Sequence, residues 1–177
     1  GSGHVFMQGG SINLSMSTNG TTFSGVVTGT GTLQANGGSG TLTLTNANTF
    51  AGIVTAQNVN TSTGGIRLGH GSAARNATIR LGNLDVNVSN IGFVAGIGTF
   101  ITGSLDGTSN MALVDTAGGA ITLQTGNSDA STSYRGALSG SGGLTKIGTG
   151  TLTLTGERIT VTRTNVASGM VTATYTS

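Results

Sequence analysis

Apolar residues alternate with threonine, asparagine or serine in short runs along most of the chain, and the runs stop at glycine, asparagine or serine. The clearest run is Thr151-Leu152-Thr153-Leu154-Thr155. Successive side chains of a strand point to opposite faces, so this run predicts Leu152 and Leu154 turned inward and the three threonines outward. Residues 66–68, 77–81 and 84–88 predict further short strands bounded by turn residues. The apolar positions are mostly β-branched or Leu, which suits a pleated surface. Residues 72–76 alone predict helix, a single turn at most, and no stretch carries the period of an amphipathic helix.

The pattern also repeats at long range. "FSGVVTGTGTLQANGGSGTLTLTN" (Phe23 to Asn46) pairs with "YRGALSGSGGLTKIGTGTLTLTG" (Tyr134 to Gly156). Phe23 matches Tyr134, Leu33 matches Leu144, and Leu42 and Leu44 match Leu152 and Leu154. The likeness extends back to Gly9 and Gly118, giving copies near residues 9–52 and 118–156. Short strands, closely spaced turns and a module that tolerates an insertion predict a solenoid, in which each coil touches only its neighbours. The expected fold is all-β, a right-handed parallel β-helix running as one body through residues 1–177. Its core rungs are Leu33, Leu42, Leu44, Ile121, Leu123, Leu144, Ile147, Leu152 and Leu154, with Phe23, Phe50 and Tyr134 stacked at coil ends or corners. Residues 157–177 depart from the module and predict either a cap or strands that pair with another subunit.

Composition narrows the classes of function. Gly supplies 33 of 177 residues, which suits the tight corners of such a coil. Charged residues are 7%, yet no apolar run approaches the ~18–20 residues of a spanning helix. Proline is absent, so no strand loses a ladder donor, and cysteine is absent, so no disulfide contributes. The net charge of +2 comes from scattered residues, and aromatics are only 4%. A nucleic-acid binder needs a basic stripe, which is missing here. The chain opens without a recognisable signal peptide and reads as a segment of something larger.

"LSGSGGLTKIGTGTLTLTG" (Leu138 to Gly156) resembles the autotransporter-associated β-strand repeat, also called the passenger-associated transport repeat. "GTLTLTNANTFAG" (Gly40 to Gly52) resembles that repeat's continuation, and residues 104–127 resemble the segment that often precedes it. The resemblance covers about two-thirds of the chain. It implies a secreted, right-handed parallel β-helix carried to the bacterial surface. The chain departs from the family after Gly156, where "ERITVTRTNVASGMVTATYTS" replaces the expected Asn-Thr-Tyr-type turn.

Catalytic chemistry has little to work with. Polysaccharide cleavage on a β-helix needs clustered carboxylates, or a carboxylate and metal with a basic residue. The chain offers only Asp85, Asp106, Asp115, Asp129 and Glu157, none within a D-x-D or E-x-x-D spacing. Asp106 and Asp129 are separated by about one coil and are the best pair to be brought together by stacking; capping of turns is the competing role. His4 and His70 are the two histidines, and His70 sits in the turn Leu68-Gly69-His70-Gly71, where solvent exposure is expected. The glycine-rich segments at Gly29 and Gly140 have neither a following helix nor the Lys-Ser/Thr of a phosphate loop. No G-x-S-x-G elbow and no calcium-binding G-G-x-G-x-D repeat is present. Thr-x-Thr pairs at Thr41/Thr43, Thr151/Thr153 and Thr160/Thr162 could order water on an ice-binding face, but residues 64–107 lack them.

These observations predict a non-catalytic extracellular or cell-surface scaffold with an adhesive or fibre-forming role. No catalytic, cofactor or metal residue is assigned. The expected partners are further copies stacked end to end, or a host or matrix glycan or protein, with no nucleic acid and no membrane-spanning segment. A polysaccharide-binding or polysaccharide-cleaving β-helix is the alternative, and an ice-binding protein a more distant one.

Overall fold

The alternating runs become rungs of a parallel coil. The computed structural model describes residues 3–15, 19–57, 65–82, 91–156, 159–160 and 163–173. The strands are β1 (Val5–Ser15), β2 (Thr21–Phe23), β3 (Val27–Asn36), β4 (Thr41–Leu44), β5 (Ile53–Gln57) and β6 (Gly65–Leu68). There follow β7 (Ala74–Leu81), β8 (Ile91–Phe93), β9 (Thr99–Gly107), β10 (Met111–Ala112), β11 (Thr122–Thr125) and β12 (Thr132–Tyr134). The last are β13 (Leu138–Ser139), β14 (Gly143–Lys146), β15 (Thr151–Leu154), β16 (Arg163–Val166) and β17 (Met170–Ala173). No helix occurs among the described residues. Residues 84–88, expected as a strand, lie outside them, as do Asp85 and Glu157.

The strands pair in parallel. A parallel pair needs a long crossover, and here the crossover is the remainder of each turn. The chain makes about 7 turns of a β-solenoid. Side-chain hydrogen bonds between adjacent turns span sequence separations from 19, between Gly96 and Asp115, to 27, between Ala137 and Asn110. Turns of such variable length stack because insertions are absorbed at corners, outside the ladders.

Each turn has three faces. The first carries residues 5–8, 27–30, 99–102, 122–125, 143–146 and 163–166. The second carries residues 11–15, 32–36, 53–57, 78–81, 104–107, 132–134, 151–154 and 170–173. The third carries β2, β4, β6 and β8, continues through Asp115, and includes the rung Met111, Leu138 and Ile159. Strands β1 and β7 run across the first corner, and their register shifts there, between Gln8 and Ser11 and between Ala74 and Thr78.

Inside the coil the period-two expectation holds. Leu42, Leu44, Leu152 and Leu154 are buried while Thr41, Thr43, Thr151 and Thr153 stay partly exposed. Leu33, Ile121, Leu123 and Leu144 are buried as expected, and each such side chain contributes about 1.5–3 kcal/mol of apolar transfer free energy. Ile147 departs from expectation. Strand β14 ends at Lys146, so the inward position two residues beyond Leu144 belongs to Lys146, and Ile147 lies half-exposed on the corner. The helical turn expected over residues 72–76 is also absent: residues 71–73 form a turn, and β7 begins at Ala74.

One corner device recurs. In Phe23-Ser24-Gly25, Phe50-Ala51-Gly52 and Tyr134-Arg135-Gly136 the aromatic ring lies over the glycine two residues later. The α-carbon of that glycine abuts a carbonyl of the preceding turn: Gly3 under Gly25, Gly31 under Gly52 and Ser109 under Gly136. A β-carbon would collide with both carbonyl and ring. These three corners join the third face to the first, the first to the second, and the second to the third, respectively. Phe50 and Tyr134 are buried and Phe23 is half-buried, consistent with their expected corner positions.

Candidate functional site

Polar groups that the coil brings inward come first, because burial makes them expensive unless they are satisfied. Asn48 is 2% exposed. Its Oδ1 accepts the Val27 N–H at 2.8 Å and its Nδ2 donates to the Ala73 carbonyl at 2.9 Å, so one side chain ties three successive turns. On the first face, Thr102, Thr125 and Lys146 occupy one inward file, each about 1% exposed or less. Thr102 donates to the Ala77 carbonyl at 2.8 Å. The Lys146 ammonium donates to the carbonyls of Ile147 at 2.5 Å and Gly148 at 3.1 Å, at the corner that ends its own strand. Burial pushes its pKa down, and the nearby Asp129 carboxylate works in the other direction.

The carboxylates hold corners and rungs. Asp115 accepts from Ala117 and Gly119 through Oδ1, at 2.9 and 2.8 Å, and from Gly96 of the preceding turn through Oδ2 at 2.8 Å. These backbone N–H groups hold its carboxyl below the usual range. Asp129, with a φ of 58°, accepts the Thr149 N–H at 2.7 Å. Asp106 lies within β9 and pairs with Arg80, Nε at 2.8 Å and Nη2 at 2.7 Å. The stacked Asp106–Asp129 pair is therefore not formed: the register sets Asp106 beside Arg80, and Asp129 is committed to the corner before β12. His70 is exposed and its Nδ1 accepts the Ser72 N–H at 3.0 Å; His4 bonds to the Thr28 hydroxyl at 3.1 Å. Among the described residues no three His, Cys, Asp or Glu side chains group as metal ligands. The outward threonine file of the third face runs Thr22, Thr43 and then Arg67 and Gly92, so the register interrupts any hydroxyl array there.

An apolar cavity opens at the first turn. It has a volume of about 300 Å³ and an apolar lining that includes Val5, Ile12, Leu14, Phe23, Leu33 and Leu42. In the interior the equivalent inward side chains are covered from both sides, whereas Val5, Ile12, Leu14 and Phe23 are only partly buried. The exposed large apolar side chains among the described residues are Phe6 (66%), Val166 (48%) and Met170 (59%), all in the first and last turns. Sequence reasoning singled out neither the apolar lining of this opening nor the buried Asn48 and Lys146.

The fold and its side chains thus define a parallel β-solenoid in which the described carboxylates serve corners and rungs. The sequence is 35% identical, in a match 156 residues long that covers 85% of the chain, to the adhesin BmaC autotransporter of Brucella suis biovar 1 (strain 1330). The chain spans 4% of that protein's length. No family model matches the sequence, and no solved structure matches it significantly. The coils and this likeness fit a repeat of the autotransporter type.

Proposed function

We propose that the chain is a non-catalytic segment of an extracellular, surface-displayed adhesive scaffold built from the autotransporter-associated β-strand repeat. The observation that supports this most is that the likeness to the Brucella adhesin extends over 156 residues, the greater part of the coil stack, and is not confined to one motif. A solenoid suits the role. With parallel strands about 4.8 Å apart, each turn adds a fixed length of stiff rod, and outward positions vary without disturbing the interior. The buried polar groups support the same reading, because Asn48 and Thr102 tie adjacent turns together and Lys146 fastens the corner that ends its own strand.

The test is display. The chain is inserted between the signal sequence and the membrane barrel of an autotransporter, and bacteria are scored for protease-accessible chain and for adherence to epithelial cells and matrix proteins. The expected result is surface exposure with adherence above that of bacteria carrying the barrel alone. Display without added adherence would refute the adhesive role, and failure of display would refute the passenger role. Release of oligosaccharides from acidic polysaccharides by the purified chain would refute the non-catalytic assignment.

A further inference from the structure

On the third face, midway along the stack, the ladder between turns is interrupted. From β2 to β8 this face is paired residue by residue, with Arg67 beside Gly92. Strand β8 then meets the following turn through one bridge, Phe93 to Asp115, and β10 pairs onward with β13 and not back with β8. The interruption holds a groove of about 160 Å³ whose lining includes Arg67, Gly92, Ala112, Val114, Asp115 and Thr116. We propose that this groove binds one acidic sugar residue of a glycan, with the sugar carboxylate on the Arg67 guanidinium and ring hydroxyls at Asp115 and Thr116. The proposal rests on the reading of the chain as an adhesive scaffold and adds the site and the class of ligand.

Gly92 is not there for its backbone, because its φ lies outside the left-handed region that favours glycine. Its missing side chain provides space. A β-carbon at this position would lie 3.2 Å from Nη1 of Arg67 and 3.5 Å from its Cδ and Cζ, so the arginine lies along the Gly92 backbone. Arg67 is half-buried, and burial draws its pKa below the ordinary value. A partly desolvated cation gains more from a carboxylate than an exposed one does, because water screens the pair less. The guanidinium has five N–H donors in a fixed fork. Its Nη1 donates to the Ile66 carbonyl at 3.4 Å, and the fork has donors in excess of that bond. The facing segment supplies groups suited to a sugar ring. Asp115 accepts three backbone N–H groups with about four lone-pair positions, so it retains capacity for a hydroxyl and is already fixed in place. The Thr116 hydroxyl oxygen accepts the Ala95 N–H at 3.1 Å, a bond that does not use its own hydrogen. Ala112 and Val114 give small apolar contacts for the C–H face of a ring. A peptide bound by strand addition needs an open edge several residues long, whereas this gap closes at the Phe93–Asp115 bridge.

The experiment titrates the isotope-labelled 177-residue chain at pH 7 with glucuronic acid, glucose, acetate and a short acidic peptide, and follows amide chemical shifts. Glucuronic acid is expected to bind with a dissociation constant of about 1 mM, as suits a ligand of its size, with shifts at Arg67, Gly92 and residues 112–116. Glucose and acetate are each expected to bind at least about tenfold more weakly, since each keeps only half of the recognition. Arg67→Gln should abolish binding, and Arg67→Lys should weaken it at least about fivefold, because a point charge does not replace the fork. Thr116→Val, at an exposed position, should weaken it about threefold. Circular dichroism checks that each variant keeps its strands; if Arg67→Gln fails to fold, Arg67→Lys and Thr116→Val carry the test. No shift at about 20 mM glucuronic acid, acetate that binds as well as the sugar acid, a peptide that binds more tightly, or an Arg67→Gln variant that binds like wild type would each overturn the proposal. Adherence on display without glucuronic acid binding would overturn this site and leave the adhesive role intact. Glucuronic acid binding without adherence would refute the adhesive role and leave the site standing.

Discussion

Replacing Tyr134 by Phe removes a single oxygen from a tightly packed corner of the coil. Tyr134 is fully buried, and its hydroxyl donates to the Ser109 carbonyl of the preceding turn at 2.7 Å. The ring also covers Gly136, so Phe fills the same space and the change is confined to the hydrogen bond. Losing that bond and leaving the buried carbonyl short of a donor costs about 1–2 kcal/mol. For a chain of this size that lowers the unfolding midpoint by about 2–8 °C at pH 7. The pH dependence sharpens the test. Burial pushes the Tyr134 phenol far above its ordinary value of 10.0. Above pH 10 the unfolded chain releases this proton while the folded chain retains it, so wild type loses stability by up to about 1.4 kcal/mol per pH unit. The Phe variant has no such loss. Its deficit should shrink above pH 10 and reverse near about pH 11, where the two contributions are equal. Lys146 titrates in both proteins and cancels in the difference. Thermal and denaturant unfolding followed by circular dichroism between pH 7 and 11.5 reads both effects. Equal stability at pH 7, or a gap that persists undiminished above pH 10, would refute the reasoning.

Gly52→Ala should cost about 2 kcal/mol or more, because its β-carbon meets the Gly31 backbone and the Phe50 ring. Gly37→Ala, at a φ of +66° in open space, should cost about 1 kcal/mol from backbone strain alone; equal losses at the two sites would contradict the packing account. Asn48→Ala leaves a buried N–H of Val27 and a carbonyl of Ala73 without this partner and should destabilise by about 2–4 kcal/mol in urea unfolding. Asp115 has a lowered carboxyl pKa, so its contribution is present above pH 3.8 and is lost as the pH falls through the lower folded value. The protection factors of the Gly96, Ala117 and Gly119 amides against exchange should therefore fall at low pH and, at neutral pH, in Asp115→Ala; unchanged protection would show that the carboxylate does not hold this corner.

The architecture was legible wherever alternation was strict. Leu-Thr-Leu-Thr fixes both strand and face, and β4 and β15 carry it out as read. Legibility failed where position overrides residue type. At Thr145-Lys146-Ile147 hydrophobicity favours Ile147 as the inward residue, but counting by two from Leu144 selects Lys146. The ammonium is tolerated there because two corner carbonyls accept from it. Residues 74–76 favour helix by local propensity, and the preceding and following ladders draw them into β7 instead. Asp106 and Asp129 are separated by about one turn, but turns of unequal length break any fixed spacing rule. Only the ladder register shows that Arg80, and not Asp129, is the neighbour of Asp106.

The same unequal lengths explain how a repeated sequence is used. The two similar stretches do not occupy equivalent places in the coil. Leu42 and Leu44 lie on the third face, while their counterparts Leu152 and Leu154 lie on the second; Leu33 is on the second face and Leu144 on the first. The second stretch is therefore set back by one face relative to the first. This is possible because each face asks the same things of the chain: inward apolar side chains at alternate positions, outward small polar ones, and a corner with room for a glycine against the turn below. The aromatic-x-Gly corner meets that last demand at three different corners, with a carbonyl of the preceding turn as floor each time. A module specified by corner and strand, and not by a whole turn, can be added, lost or lengthened at any corner without disturbing the stack. Sequence identity between such chains is then expected to follow modules more closely than turns, and an alignment that forces one repeat per turn would misplace the inward residues.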